Sequence, residues 1–137
     1  MIVFLKKVRV GTLFSKFEPV VVEPLELCYL TTVLKDMNIE NYIIDDLFKL
    51  YEPKNIVPDL IILTGYNVAE DKILKEAKDY KNRFPDCKII VGGVHIQLNR
   101  GVFHKEYIDY IIHSQTFCNK FLNIFPIIVI IYCNRTN

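Results

Sequence analysis

The chain has 137 residues, the length of one domain, and can bury about two thirds of its unfolded surface without disulfides or metal. Seventeen Lys and Arg against 16 Asp and Glu leave a net charge of +1, which lacks the basic excess of a nucleic-acid binder. Hydrophobic residues at 51% and charged residues at 24% exclude general disorder.

In chain order, residues 2–5 form a compact apolar run of strand length, reaching Lys6-Lys7 too soon to serve as a signal peptide. Residues 25–37 repeat Leu27, Leu30, Leu34 and Met37 at helical steps, with Pro24 suited to the first turn and Asn38 as the stop. Tyr42-Ile43-Ile44 reads as a second strand, ending at Asp45-Asp46, expected as a solvated strand end. Residues 60–63 are uninterrupted Leu-Ile-Ile-Leu, which suits a strand covered on both faces.

Residues 70–84 carry the clearest helical stripe, Ile73, Ala77, Tyr80 and Phe84, and Pro85 ends it. Residues 88–91 form the fourth strand and stop at Gly92-Gly93. Residues 108–112 form the fifth, followed by a helical stretch over 116–125. The segment 121–132 is the most hydrophobic, yet it holds Asn123 and Pro126 and falls short of the about 20 apolar residues of a membrane span. The chain is therefore expected to be soluble and cytoplasmic, with no membrane partner.

Strands alternating with helices of crossover length make a parallel sheet. The expected fold is α/β: a doubly wound, flavodoxin-like, mainly parallel five-stranded sheet in the order 2-1-3-4-5, with helices on both faces. Residues 1–125 form the domain. Residues 126–137 are a short apolar tail that could add a sixth strand but fits poorly, as in a truncated or atypical product.

In such a sheet ligands bind beyond the carboxyl ends of the strands. Those ends carry residues 6–23, Thr64-Gly65-Tyr66-Asn67, Gly92-Gly93-Val94-His95 and His113-Ser114-Gln115. Glycines there either admit a ligand to the backbone or serve only tight turns. No Gly-x-Gly-x-x-Gly or Gly-x-x-x-x-Gly-Lys-Ser/Thr cradle occurs, so dinucleotides and triphosphates lack their phosphate site. The first loop offers only Glu18 and Glu23, too few for a receiver's acidic cluster, and no Gly-x-Ser-x-Gly elbow supports a hydrolase. Cys28, Cys87, Cys118 and Cys133 form no Cys-x-x-Cys pair, which fits reduced thiols better than a zinc or iron–sulfur site. His95, His104 and His113 show no ligand spacing, and no metal site is expected.

Four segments together resemble a known domain: Val22-Glu23-Pro24-Leu25-Glu26-Leu27-Cys28-Tyr29-Leu30, Pro58-Asp59-Leu60-Ile61-Ile62-Leu63-Thr64-Gly65-Tyr66, Phe84-Pro85-Asp86-Cys87-Lys88-Ile89-Ile90-Val91-Gly92-Gly93-Val94-His95 and Tyr107-Ile108-Asp109-Tyr110-Ile111-Ile112. Their order and spacing over residues 1–125 are similar to the cobalamin-binding domain at the N-terminus of many radical S-adenosylmethionine proteins.

The resemblance implies a flavodoxin-like sheet with cobalamin at its carboxyl edge. Thr64, Gly65, Tyr66 and Asn67 would line the pocket for the nucleotide tail, Gly92 and Gly93 would let it pass, and Val94 and His95 would form the rim. The Asp-x-His-x-x-Gly motif that ligates cobalt elsewhere is absent, so His95 is expected not to bind the metal. The family's Arg-Gly-Glu-Gly-Glu stands here as His113-Ser114-Gln115-Thr116-Phe117, and the helix-start glycine is Glu26. No Cys-x-x-x-Cys-x-x-Cys cluster motif follows, so no iron–sulfur cluster is expected and a separate catalytic subunit would be the partner. The function implied is cobalamin binding without independent catalysis. A degenerate partner-binding module and a small enzyme at the same cleft are the alternatives.

Overall fold

The computed structural model describes residues 1–11, 24–93, 96 and 98–112, and for Asn67 only the backbone. Five strands form one parallel sheet: β1 (Ile2–Val8), β2 (Glu40–Ile44), β3 (Leu60–Gly65), β4 (Lys88–Gly92) and β5 (Tyr110–Ile111). Their spatial order is β2-β1-β3-β4-β5, the flavodoxin-like arrangement that the alternating pattern predicts. Helix α1 (Leu25–Asp36) follows β1, α2 (Glu70–Arg83) follows β3, and the single turn α3 (Arg100–Phe103) follows β4. Among the described residues no helix is long and apolar enough to cross a membrane.

Side-chain alternation divides the core between two faces. Val3, Leu5, Leu60, Ile62 and Ile90 pack with Leu27 and Leu34 of α1. Phe4, Val8, Ile61, Leu63, Ile89 and Val91 pack with Ile73, Ala77 and Tyr80 of α2. One crossover helix therefore covers each face. The helix ends also follow the sequence: Asn38 takes the left-handed conformation (φ 55°) just past α1, and α2 stops at Phe84, ahead of Pro85.

Two aspartates fix the strand register at the amino edge. Asp59 and Asp109 each stand one residue before their strand, β3 and β5. Asp59 accepts the Ile2 N–H at 2.7 Å and Asp109 the Ile89 N–H at 2.9 Å. Each also donates its own N–H to the carbonyl of that same residue, at 2.9 Å. Asp109 further holds Lys81 and Lys88, both at 3.0 Å.

Three boundaries differ from the sequence pattern. β1 runs on through Lys6-Lys7-Val8, because the two lysines reach glutamates on the covering helices. β3 continues to Gly65, in ladder with Val8. β5 is shorter than 108–112, since its first place in the ladder is taken by Asp109. The expected helix over 116–125 and the tail 126–137 lie outside the described residues.

Candidate functional site

Connections leave the carboxyl ends of β1 and β3 toward opposite faces, so the strand order reverses between these two neighbours. A crevice at such a reversal is where open α/β sheets bind ligands. Lys7 of β1 pairs with Thr64 of β3, and Thr64 pairs with Gly92 of β4. These three positions form one row across the edge, on the α1 face. Side chains shrink along it from a lysine to a threonine to none.

The row begins with a buried charge. Lys7 is 5% exposed and Thr64 6%. The Lys7 ammonium pairs with Glu26 in the first turn of α1 and lies 4.5 Å from the centre of the Tyr66 ring. Tyr66, directly after β3, is half exposed.

On the α2 face the same edge is closed. A Cβ on Gly65 would come within 2.9 Å of both Ile73 Cδ1 and the Val8 carbonyl, so glycine is needed there for packing. On the α1 face a Cβ on Gly92 would touch the buried Ile112, which covers that end of the row, at 3.4 Å. Gly93 has φ +125°, a backbone few L-residues adopt, and its Cβ position lies 3.0 Å from Thr64 Oγ1. Substitution at Gly93 therefore tests the turn before it tests a ligand.

Beside the crevice, Arg9 binds Asp45 through both Nε (2.8 Å) and Nη2 (2.7 Å). Asp45 also accepts the Leu47 N–H, capping the short turn Asp46–Phe48. It is fully buried, which corrects the expected solvated strand end: the guanidinium and this N–H replace water around the carboxylate. Hydrogen bonding to Asp45 holds the Arg9 pKa above its ordinary value against desolvation. Lys72 of α2 donates to the Arg9 carbonyl at 2.7 Å, tying the start of the loop to that helix.

A separate groove of about 520 Å³ lies on the α2 face, lined by Lys6, Glu52, Glu76, Tyr80 and Arg83. Lys6 binds Glu76 at 2.6 Å, and Glu52 accepts from Tyr80 at 2.8 Å and from Arg83 at 3.0 Å. Burial, then the Glu52 bond, pushes the Tyr80 hydroxyl far above its ordinary pKa, so it stays a donor. These charges satisfy one another.

Of the residues expected from sequence, Thr64, Gly65, Tyr66, Gly92 and Gly93 come together at this edge. Asn67 opens the single turn Asn67–Ala69 beside them. Val94 and His95 lie outside the described residues. Sequence reasoning missed Lys7 and Glu26 as a pair. The available signal was parity: Val3, Leu5 and Lys7 share one strand face, and that face meets α1. Among the described residues no group of three or more His, Cys, Asp or Glu is placed to hold a metal ion. No family model, no curated protein and no solved structure matches this chain.

Proposed function

We propose that the chain is a cobalamin-binding module without catalysis of its own, with the cofactor across the carboxyl ends of β3 and β4. One juxtaposition supports the reading. Thr64 and Gly92-Gly93, which carry the family resemblance from distant parts of the sequence, are neighbours on adjacent strands. The residues would admit a cofactor tail at the Gly93 backbone beside Thr64, while Ile112 covers the row at Gly92. They offer no described side chain to cobalt.

In this reading the Thr64 hydroxyl and the Gly92-Gly93 backbone hold the tail, and Gly65, Tyr66 and Asn67 flank it. The resemblance would add Val94 and His95 as the rim, with His95 not a cobalt ligand. When bound, cobalamin would supply a cobalt-centred alkyl carrier to a separate catalytic protein. Titration with hydroxocobalamin tests this: the corrin absorption bands should shift and the cofactor should co-elute with the protein. No shift at about millimolar cofactor, well above a useful Kd, would overturn the reading.

A second reading is a partner-binding module that needs no cofactor. The observation favouring it is that Val10, Leu25, Tyr66, Val68 and Leu98, each just after the carboxyl end of a strand or its loop, are exposed. Failure of the titration would leave this reading standing.

A further inference from the structure

We propose that Lys7 is the oxyanion-binding residue of the crevice between β1 and β3, and that Glu26 holds its ammonium until an anionic ligand group replaces the carboxylate. The two lysines at the end of β1 make the contrast. Lys6 has two acceptors, Glu76 Oε2 at 2.6 Å and the Tyr80 hydroxyl at 3.3 Å. Lys7 is more deeply buried, yet among the described residues its hydrogen-bond acceptor is Glu26 alone.

An ammonium carries more N–H donors than one carboxylate oxygen accepts, and beyond Glu26 this one has only the face of the Tyr66 ring among the described residues. The partner is also a replaceable one. Glu26 is 29% exposed at the start of a helix and can turn into water with little loss.

What lies beside Lys7 completes the site. Thr64 is its register partner on β3, so the two side chains leave the same face of strands about 4.8 Å apart, and a ligand group between them would meet both an ammonium and a hydroxyl. Two such donors suit one phosphate or carboxylate group. Beyond them the row falls to Gly92, covered by Ile112, so the rest of a ligand would pass the Gly93 backbone at the end of β4.

This inference rests on the proposed reading for where the ligand lies, but not for which ligand. The phosphodiester of a cobalamin tail and a free phosphate present the same oxygens. The experiment uses Lys7→Met and Glu26→Gln, with folding checked by circular dichroism, and two probes: hydroxocobalamin by absorption, and inorganic phosphate by the rise in Tm it causes.

Lys7→Met should weaken hydroxocobalamin binding about tenfold or more, the scale of one charge-assisted hydrogen bond, while Glu26→Gln should tighten it. A structural ion pair would not give opposite signs. If hydroxocobalamin binds but both variants shift affinity the same way, or neither shifts it, the proposal is overturned and the cobalamin reading stands. If wild type ignores hydroxocobalamin but phosphate raises Tm more in Glu26→Gln than in wild type, and not in Lys7→Met, the cobalamin reading fails and the anion site stands. If neither probe binds, the proposal is overturned. Should Lys7→Met fail to fold, Glu26→Gln decides: tighter binding supports the proposal, and unchanged or weaker binding overturns it.

Discussion

The two edges of the sheet handle charge in opposite ways. At the amino edge, Asp59 and Asp109 are built into the ladder itself, each exchanging hydrogen bonds with the residue across from it. At the carboxyl edge, Lys7 and Arg9 bind side chains, Glu26 and Asp45, and the backbone pairing does not depend on them. Charges in the ladder set register; charges on other side chains can change partner. The segments around Asp59 and Asp109 that carry the family resemblance thus serve folding at one end and lead into the candidate site at the other.

The comparison predicts a rank of costs. The largest belongs to Asp45→Ala, the carboxyl-edge charge that is not replaceable. It is fully buried, binds Arg9 twice and caps the turn after β2. Its loss should lower unfolding stability by about 3 kcal/mol, because the guanidinium N–H groups and the Leu47 N–H together lose the buried carboxylate that accepts them. Urea denaturation measures it, and an unchanged midpoint would show that this edge does not need the pair.

Asp109→Ala should come next, at about 2 kcal/mol, since it removes a backbone acceptor and two lysine contacts at once. Its titration gives a sharper test. Burial raises the Asp109 pKa, but the Ile89 N–H and the Lys88 and Lys81 ammonium groups outweigh it, and the net direction is down. A carboxylate depressed in the folded state stabilises the fold fully above its ordinary pKa, and that contribution is lost as pH falls from there through the lower folded-state pKa. The midpoint difference between wild type and Asp109→Asn should therefore hold above about pH 5 and shrink as pH falls below about 4. A constant difference would remove Asp109 from the account of acid stability.

Gly65→Ala tests the closed side of the carboxyl edge. The added methyl meets Ile73 Cδ1, which can turn, and the Val8 carbonyl, which cannot. A loss of about 1–2 kcal/mol is expected from overpacking, read as a lower Tm. A neutral substitution would mean that the space beside Gly65 is open, as a ligand-facing glycine requires.

How much of this was legible depended on sequence distance. Apolar runs and helical steps are local, so 60–63, 70–84 and 88–91 correspond to β3, α2 and β4 with small shifts at their ends. The strand order followed from the alternation of element types. Asp45 was misread because its partner, Arg9, lies 36 positions away, and a short polar residue after a strand looks solvated until the fold joins them. The glycines were legible as special but not in kind: Gly65 answers to packing and Gly93 to a positive φ, and neither cause shows in the letters Thr-Gly-Tyr or Val-Gly-Gly. Lys6-Lys7 looked like the end of a strand because charge interrupts hydrophobicity. Long lysine stems nonetheless cover apolar surface while their ammonium groups reach a partner.

The smallest effect is the one that most sharpens the contrast between the edges. Lys7→Met keeps an apolar stem of similar length and removes only the ammonium that pairs with Glu26. Glu26 is left behind, but at 29% exposure it can be hydrated, so no buried charge is stranded. Truncating Asp109, by contrast, leaves the Ile89 N–H without its acceptor. The stability change for Lys7→Met should thus stay within about 1 kcal/mol, the range of partly exposed ion pairs, and could favour the variant because burying an ammonium is itself unfavourable. Urea denaturation beside Asp109→Ala provides the comparison. A loss for Lys7→Met equal to that for Asp109→Ala would make Lys7 a structural residue like those of the amino edge. A small loss or a gain would mean that the fold keeps a buried cation at its ligand crevice for a reason other than its own stability.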